Sequence, residues 1–493
     1  MRASPSLARR GLKLAGVAAL AALLGAAPAT SRAAAPADPA TLEWQLRDWL
    51  AGLLGPEVTL GDRPVRFVPE GDHLALSVPV AGVSGPGGVS LAGPPFTARV
   101  RRMDDGSWAL DDGRLPSPLR IAAPGGRNWA VTLQDQTQRA VLDPTLATAS
   151  TWDMRVGHYR TESHGPDGER TTEATNLQAH LVLQPAGNGR LDLRETSSSE
   201  LIASNTRLPR GGVMSFSAGR NEMSTHFDRL RPTQIAPALH ATLRLAALLA
   251  EGGAAAANGT ARMTPALRRA LDGLLQVAGD LMDGAGQTGR FENVHVHSAG
   301  IDIAMRRLDS GGRIAARDGR LQARLDLAVE GLDAGPTLAG PMRAFLPHRL
   351  VLRQHVGGLP AAGVVALLRA AADGAAPADL TGQGAALLRH GPLSVGIDEL
   401  AADFGPATLT ASGTLRVAGP NAMTGQADIR ATGLDALIAA ARTNAVLRQA
   451  LPVLIFLKGI GETQGAATLW AIAWQDGRLT VNGTDLSQLV PLR

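Results

Sequence analysis

The tetrapeptide Asp-Gly-Arg-Leu occurs three times in this chain, at residues 112–115, 318–321 and 476–479. A fourth copy, at 188–191, has asparagine in the first position. Asp-Gly and Asn-Gly suit the two central positions of a tight hairpin turn, because both positions need a positive φ. The tetrapeptide therefore predicts four hairpins in which the outgoing strand begins at Arg-Leu, and so a fold built from antiparallel strands.

Apolar and polar residues alternate along much of the chain, as half-buried strands require. The stretches 152–158, 177–184 and 321–330 place every second residue on an apolar face, and strands are expected to return after Gly289. The final hairpin, Trp470–Asn482, has an outgoing strand that is apolar on both faces. This strand is therefore expected to be central in its sheet or covered on both sides.

Helical patterns interrupt the strands at three places. The spacing of apolar residues predicts a helix over 39–54 capped by Asp38, docked on a sheet rather than on a membrane surface. A helical pair is predicted over 232–283, with Thr264 as the cap of its second helix. The apolar run Leu451–Ile460 is too short to cross a bilayer and is expected to form the buried end of a helix.

A second pattern recurs where strands end. Strands are predicted to lead through a Gly-Leu pair into a helix or turn at residues 331–332, 358–359 and 433–434. The distances between these steps are unequal, so the chain does not read as a regular solenoid.

The first 35 residues have the plan of a secretory signal peptide. A basic start with Arg9 and Arg10 precedes an apolar stretch over 14–27, and small residues suit cleavage after Ala29 or Ala35. The arginine pair is also a partial match to a twin-arginine export signal. The alternative is a retained membrane anchor, which a short and Ala-rich stretch disfavours.

Charge and cysteine content exclude several functional classes. Without the five basic residues of the leader, the 48 basic residues fall to 43 against 44 acidic ones, so the mature chain is nearly neutral. A neutral chain has no global electrostatic attraction to nucleic acid. The chain has no cysteine, which excludes thiol catalysis and thiolate metal centres. It also lacks phosphate-loop, metalloprotease and nucleophile-elbow motifs, so neither an enzyme activity nor a cofactor is expected.

The strongest metal-ligand candidates are His295 and His297. Two histidines at this spacing on a strand point to the same side, where they would reach a common metal ion. The same pattern also describes an ordinary solvent-facing strand whose other side buries Val294 and Val296. Because no carboxylate in this stretch shares the histidine face, no metal site is expected.

Two pairs of acidic residues also deserve a prediction. Asp104-Asp105 and Asp111-Asp112 each precede a glycine, and they lack the alternating spacing of a calcium loop. They are expected to form turns rather than a catalytic or calcium-binding carboxylate pair.

Taken together, the leader, the repeated Asp-Gly-Arg-Leu hairpins, the Gly-Leu steps and the terminal hairpin resemble an uncharacterised family of exported bacterial proteins. That family is broadly similar to the AsmA-like envelope proteins. The resemblance implies a periplasmic location, an extended curved antiparallel sheet and an apolar groove for lipid. It offers no catalytic motif, so no functional residues carry over to this chain.

The expected fold is α+β and β-rich, with extended curved antiparallel sheets and amphipathic helices packed on one face. The expected organisation is a signal peptide over 1–35, a helix and β-rich region over 36–231, a helical hairpin insert over 232–287, and a C-terminal β-rich region with helices over 288–493. The expected function is that of a non-enzymatic periplasmic envelope protein that binds lipid or another apolar ligand along its sheet. Envelope proteins are further expected partners, and peripheral membrane association is compatible with this function.

Three alternatives stay open at this point. Helices would fill the apolar face of the sheet and leave no groove, or the chain would serve as a structural or interaction scaffold of the envelope. The third alternative is an exported metal-dependent hydrolase that uses His295, His297 and one more ligand.

Overall fold

Strands dominate the structure. The computed structural model describes residues 38–85, 88–143, 148–166, 168–209, 211–251, 264–298, 300–335, 346–372, 375–419, 422–443, 447–475 and 477–486. Of the described residues, 58% lie in strands, which pair antiparallel into a large sheet, and seven helices accompany them in the same part of the chain. The α+β, β-rich prediction is therefore confirmed in its coarse form, although the helices are a minor component. The leader over 1–35 lies outside the described residues.

The chain divides into two compact units. The first comprises Met1–Gly212 and Ser224–Met282, and the second comprises Val213–Met223 and Asp283–Arg493. The helical pair belongs to the first unit. The domain boundaries expected at 231 and 287 stay a prediction. Strands resume at Gly284, five residues before Gly289, the residue after which the sequence predicts them.

The elements of the first unit follow the predicted order. Its helices are α1 (Pro39–Leu54), α2 (Pro232–Glu251) and α3 (Pro265–Leu281). Its strands are β1 (Arg66–Glu70), β2 (His73–Val78), β3 (Ser84–Gly85), β4 (Val89–Ala92), β5 (Phe96–Arg102), β6 (Trp108–Arg114), β7 (Leu119–Ala123), β8 (Arg127–Asp143), β9 (Thr148–Gly165), β10 (Gly168–Gly187), β11 (Arg190–Ser199) and β12 (Leu201–Arg207). Strand β14 (Asn221–Leu230) runs from the second unit into the first.

Three long strands, β8, β9 and β10, form the centre of the first unit. Strand β9 pairs antiparallel with β8 on one side and with β10 on the other. Beyond β8 the ladder continues through β6, β5, β2 and β1, while β7 pairs with the other half of β8. Beyond β10, strands β11 and β12 each pair with one half of it.

The apolar face of this unit is covered. Trp152, Met154 and Val156 are buried on one side of β9, as their alternation predicts. They belong to one large cluster that includes Leu46 and Leu50 of α1. Helix α1 is thus docked on strands, as predicted. Its position is also fixed by Glu43, whose carboxylate accepts a hydrogen bond from the Phe67 amide at 2.9 Å.

Of the two predicted helix caps, one is present. The Thr264 hydroxyl accepts a hydrogen bond from the Leu267 amide at 3.1 Å, which satisfies one of the first free N–H groups of α3. Asp38 precedes α1 but its side chain makes no capping hydrogen bond. Here Pro39 at the first helical position removes one of the N–H groups that a cap would serve.

The second unit is a sequence of antiparallel neighbours. Its strands are β13 (Val213–Ala218), β15 (Gly284–Ser298), β16 (Ile301–Arg317), β17 (Arg320–Glu330), β18 (Arg349–Pro360), β19 (Leu393–Asp403), β20 (Thr408–Gly419), β21 (Ala422–Thr432), β22 (Glu462–Gln464), β23 (Ala467–Gln475), β24 (Arg478–Val481) and β25 (Thr484–Asp485). Its helices are α4 (Ala361–Ala372), α5 (Pro377–His390), α6 (Leu434–Thr443) and α7 (Leu451–Ile460), with a 3₁₀ turn at Leu447–Ala450 before α7.

Each strand from β15 to β21 pairs with the next one in the chain. Strand β13 adds to the outer side of β15, and β23 adds to β21. Strand β23 is central, as predicted, because β24 pairs with it on the other side. Its second face is not covered, since Ala471 and Ala473 are exposed.

The hairpin prediction is correct for the copy at 318–321 and for the asparagine copy at 188–191, and wrong for the copy at 112–115. Asp318 and Gly319 have φ values of 51° and 70° and join β16 to β17, and Asn188-Gly189 joins β10 to β11 in the same way. Asp112 has a φ of 50°, but residues 112–113 lie inside β6, where the pairing register shifts. There the left-handed residue makes a bulge instead of a turn.

The copy at 476–479 has the same geometry as far as it is described. Gln475 pairs with Arg478 across a two-residue connection, and Gly477 has a φ of 75°. Asp476 itself lies outside the described residues.

The Gly-Leu steps at 358–359 and 433–434 connect strand to helix as predicted, into α4 and α6. Gly433 has a φ of 71°, and a Cβ atom at this position would lie 2.0 Å from the Pro406 carbonyl oxygen. Gly358 has a φ of 98°, with the Pro392 carbonyl oxygen 2.2 Å from the corresponding Cβ position. Only glycine fits both the left-handed backbone and the close approach.

Helices α6 and α7 pack on one end of the second sheet. Leu434 and Ile438 of α6 are buried in a small cluster with Trp470 of β23. The prediction for Leu451–Ile460 is half right: the segment is a helix, but none of its residues is buried. The burial prediction fails because α7 packs on one side only, although all its residues except Lys458 lack a charge and most are apolar.

Candidate ligand-binding face

Five large apolar side chains lie uncovered on one face of the second unit's sheet. We call them the apolar strip: Ile314, Leu325, Val356, Ile397 and Leu415, one on each strand from β16 to β20. Their exposed fractions lie between 37% and 49%, although each stands at a position that its strand pattern marks as apolar. The strip is therefore an apolar surface rather than part of a filled core.

The pairing register places these side chains on the same face. Ile314 lies opposite Ala323, which lies opposite Val356; Val356 in turn lies opposite Val395, and Val395 opposite Leu415. Leu325 and Ile397 lie one row further along, both opposite Gln354. Directly paired residues share a face, and diagonal neighbours are within reach of long side chains, so the five side chains form one continuous zigzag.

The other face of the same strands carries charge. Arg324 and Asp326 form an ion pair at 3.1 Å on β17, and Arg353 and Glu399 form one at 2.6 Å between β18 and β19. His355 contacts Asp398 at 2.7 Å on the same face. The sheet is thus two-sided, with a solvated ionic face and an apolar face.

A small residue, Gly312, lies between the large ones of the strip and leaves a shallow gap. Gly312 lies opposite Leu325, and the nearest atom to a Cβ built on Gly312 is the Arg324 carbonyl oxygen at 4.0 Å. Gly413, opposite Ile397, leaves no such gap, because a Cβ atom there would lie 2.6 Å from the Ala427 Cβ atom. Gln354 contributes the one amide within this zigzag, so a ligand there would meet hydrocarbon with a single hydrogen-bonding group nearby.

The two units differ in how their apolar faces are covered. In the first unit, buried residues of many strands join those of α1 in one cluster. Among the described residues of the second unit, the corresponding cluster has five buried members, all near α6: Ala431, Leu434, Ile438, Trp470 and Val481. The cluster stops short of the strip, whose side chains remain exposed to solvent.

His295 and His297 are exposed on β15, whereas Val294 is fully buried and Val296 is half-buried. The solvent-facing interpretation of this strand is therefore confirmed. The structure adds Asp302, which lies opposite His297 in register and was not visible from sequence spacing. Across the described ranges, no group of three or more histidine, aspartate or glutamate side chains is placed to hold a metal ion.

The acidic pairs have structural partners. Asp105 accepts hydrogen bonds from the Ser107 amide and hydroxyl, at 2.9 and 2.6 Å, which lowers the pKa of its carboxyl group. Asp112 pairs with Arg99 at 3.0 Å. Asp105 therefore confirms the turn prediction. Asp112 lies in the bulge described above.

A cleft of about 560 Å³ lies in the first unit between the end of α1 and helices α2 and α3. His240 lines it and contacts the Leu53 carbonyl oxygen at 2.8 Å, and Arg244 pairs with Glu57 at 3.8 Å. These polar groups serve to hold the helices together. The cleft accordingly reads as a seam between helices rather than as a second ligand site.

Within the described ranges, no helix is both long and apolar enough to cross a membrane. Comparison with known protein-family models and with curated proteins finds no match to this chain.

Proposed function

We propose that this chain is a non-enzymatic protein of the bacterial envelope, exported to the periplasm, that binds a lipid or another apolar ligand along the apolar strip. The observation that carries the proposal is the exposure of five large apolar side chains, in register, on one face of five adjacent strands. Soluble proteins rarely leave a contiguous apolar patch uncovered unless something binds to it.

The chemistry of the strip favours an amphiphile with a hydrocarbon chain. Neighbouring strands lie about 4.8 Å apart, so the strip from β16 to β20 spans about 19 Å, a length suited to an acyl chain. The gap at Gly312 gives such a chain space between the larger side chains. The Gln354 amide, among these apolar residues, is suited to bonding an ester or carboxyl oxygen.

Site-specific photocrosslinking tests this proposal directly. A photoreactive benzophenone amino acid replaces Val356 in the strip, or Leu201, an equally exposed leucine of β12 in the first unit. After irradiation in the native host and purification, intact-mass analysis is expected to find a lipid adduct at position 356 and none at 201. A protein adduct at 356, or equal lipid labelling at both positions, would refute lipid binding by the strip.

The export part of the proposal has its own test. The N-terminal plan of a basic start, an apolar stretch and small residues supports cleavage after Ala29 or Ala35. The mass of the protein purified from the periplasm is expected to match one of these two termini. A mass that includes the whole leader, with the protein in the membrane fraction, would favour a retained anchor instead.

A further inference from the structure

Helix α7 carries a second uncovered apolar surface. We call it the α7 outer face: Val453, Ile455, Phe456 and Leu457. Their exposed fractions lie between 38% and 57%, and none of the four side chains has a hydrogen-bonding group. Leu451, Leu454 and Ile460 of the same helix pack against the cluster around Trp470. Apart from Lys458, the side chains on both sides of α7 are apolar, so the usual amphipathic arrangement is absent.

The outer face is held in place by its backbone contacts. The Trp470 indole N–H donates a hydrogen bond to the Leu457 carbonyl at 2.8 Å, and the Asn482 amide donates one to the Ile460 carbonyl at 3.0 Å. Lys458 pairs with Asp435 of α6. The two bonds from Trp470 and Asn482 occupy carbonyl groups that the end of a helix leaves without intrahelical partners.

The satisfied backbone matters for the environment that α7 tolerates. An unpaired carbonyl or amide in hydrocarbon costs several kcal/mol, so a segment that enters a bilayer must pair these groups internally. At its other end, Pro452 has no N–H group to satisfy. Ten residues of helix are about 15 Å long, which is half the hydrocarbon thickness, so α7 is suited to lie in a membrane surface and not to cross it.

The charge beside α7 points to the kind of surface. Arg442, at the end of α6, and Arg448, in the 3₁₀ turn before α7, are exposed, and among the described residues neither forms an ion pair. Glu462, just after α7, is an exposed acid in β22. Two arginines next to an apolar surface complement anionic lipid headgroups, since arginine binds phosphate with a planar pair of donors.

Helix α7 also lies on the same side of the sheet as the apolar strip. It packs on Ile429 and Trp470, and Ile429 lies opposite Ala411, which is four residues before Leu415 on the same strand face. We propose that the α7 outer face docks on the surface of an anionic lipid bilayer and brings the lipid to the side of the sheet that carries the strip. The purpose of this docking rests on the proposed function, while the docking itself does not.

Vesicle sedimentation with the full mature chain tests the docking. The vesicles contain phosphatidylcholine alone or phosphatidylcholine and phosphatidylglycerol at a ratio of about 7 to 3, and their anionic fraction lets the arginines contribute. The wild-type protein is expected to sediment with the anionic vesicles. A Val453→Ser/Phe456→Ser variant is expected to bind them at least about tenfold more weakly, because two half-exposed side chains lose their hydrocarbon burial. A Trp44→Ser variant, which alters the exposed tryptophan of α1, is the matched control and is expected to bind as the wild type does.

Two further variants separate this inference from the proposed function. Arg442→Gln/Arg448→Gln is expected to weaken binding to anionic vesicles and to leave binding to neutral ones unchanged. Leu325→Ser/Val356→Ser, in the strip, is expected to keep vesicle binding and to lose binding of a soluble fluorescent fatty acid. Failure of the wild type to sediment with either vesicle, or equal binding by the Val453→Ser/Phe456→Ser variant, would overturn the docking. So would a dimer in analytical ultracentrifugation that Phe456→Ser abolishes, because a second copy would then cover the face.

Discussion

Replacing Leu325 and Val356 with serine changes the centre of the apolar strip and little else. Both side chains are already more than two fifths exposed, so their loss leaves no buried cavity and is expected to cost less than about 1 kcal/mol of folding free energy. A bound hydrocarbon chain would cover the remaining exposed area. Complete burial of such a side chain contributes about 1.5–3 kcal/mol, so the uncovered half of each contributes about 1 kcal/mol to binding.

The double variant should therefore lose about 2 kcal/mol of binding free energy, or roughly a thirtyfold increase in Kd. Titration with a fluorescent fatty acid, read as the increase in emission on leaving water, measures this change. Leu201→Ser removes an equally exposed leucine from the first unit and is expected to leave the Kd unchanged. Equal affinities for the wild type and the double variant would refute the strip as the binding surface, as would an equal loss in Leu201→Ser.

Three other changes test the site and the fold. Gly312→Phe, which has open space on the apolar face, is expected to fill a gap in the strip and to reduce fatty-acid binding by about tenfold or more in the same titration, with the melting temperature unchanged. Gly433→Ala is expected to destabilise the second unit by more than Gly465→Ala in urea denaturation, because both have a positive φ, which costs about 1–2 kcal/mol, but only the first would also contact a carbonyl oxygen. Burial raises the pKa of the Glu195 carboxyl group, so the native state favours the protonated carboxyl. The stability that the protonated carboxyl contributes is therefore lost as the pH rises above the ordinary pKa of a glutamate. Glu195→Gln is therefore expected to raise the melting temperature at pH 7 and not at pH 4, whereas Glu462→Gln, at an exposed position, is expected to change neither.

The sequence predicts the local structure of this chain well because the relevant interactions are local. Turn residues such as Asp318-Gly319 act through their own backbone angles, and the Gly-Leu step at 433–434 does the same. Asp112-Gly113 is the exception. Asp112 is left-handed there but Gly113 is not, so the pair makes a bulge while the neighbouring strands continue past it.

The candidate site was only half visible in the sequence. Alternation identifies which face of β17 is apolar, and Leu325 is on it. Whether that face is covered depends on where helices from distant parts of the chain pack, and no pattern within a strand reports this. Helix α1 covers strands in the first unit. In the second unit α6 and α7 pack at the end of the sheet near Trp470, while α4 contacts β18 and α5 contacts β18 and β20.

Sequence patterns also fail where packing is one-sided. The apolar run 451–460 predicts burial, since hydrophobic residues on every side of a helix normally mean a core position. Its outer face is nevertheless exposed, and the error in the prediction is itself informative. Apart from Lys458, α7 is apolar on every side but packs on one side only. Its exposed apolar side chains would be buried by a second apolar environment, which in this chain we infer to be lipid.

The strip and the α7 outer face are both apolar surfaces left open to water. An apolar face left open to water promotes association between copies of a protein, and proteins normally protect such faces with charge or with a covering element. In the second unit the charges lie on the opposite face, in pairs such as Arg353 with Glu399, where they cannot protect the strip. Both uncovered surfaces lie on one side of the sheet, as expected if a ligand or a membrane covers that side when the protein functions. A lipid at the strip and a bilayer at α7 would occupy both surfaces with the same class of molecule, which a separate protein partner for each surface would not explain as simply.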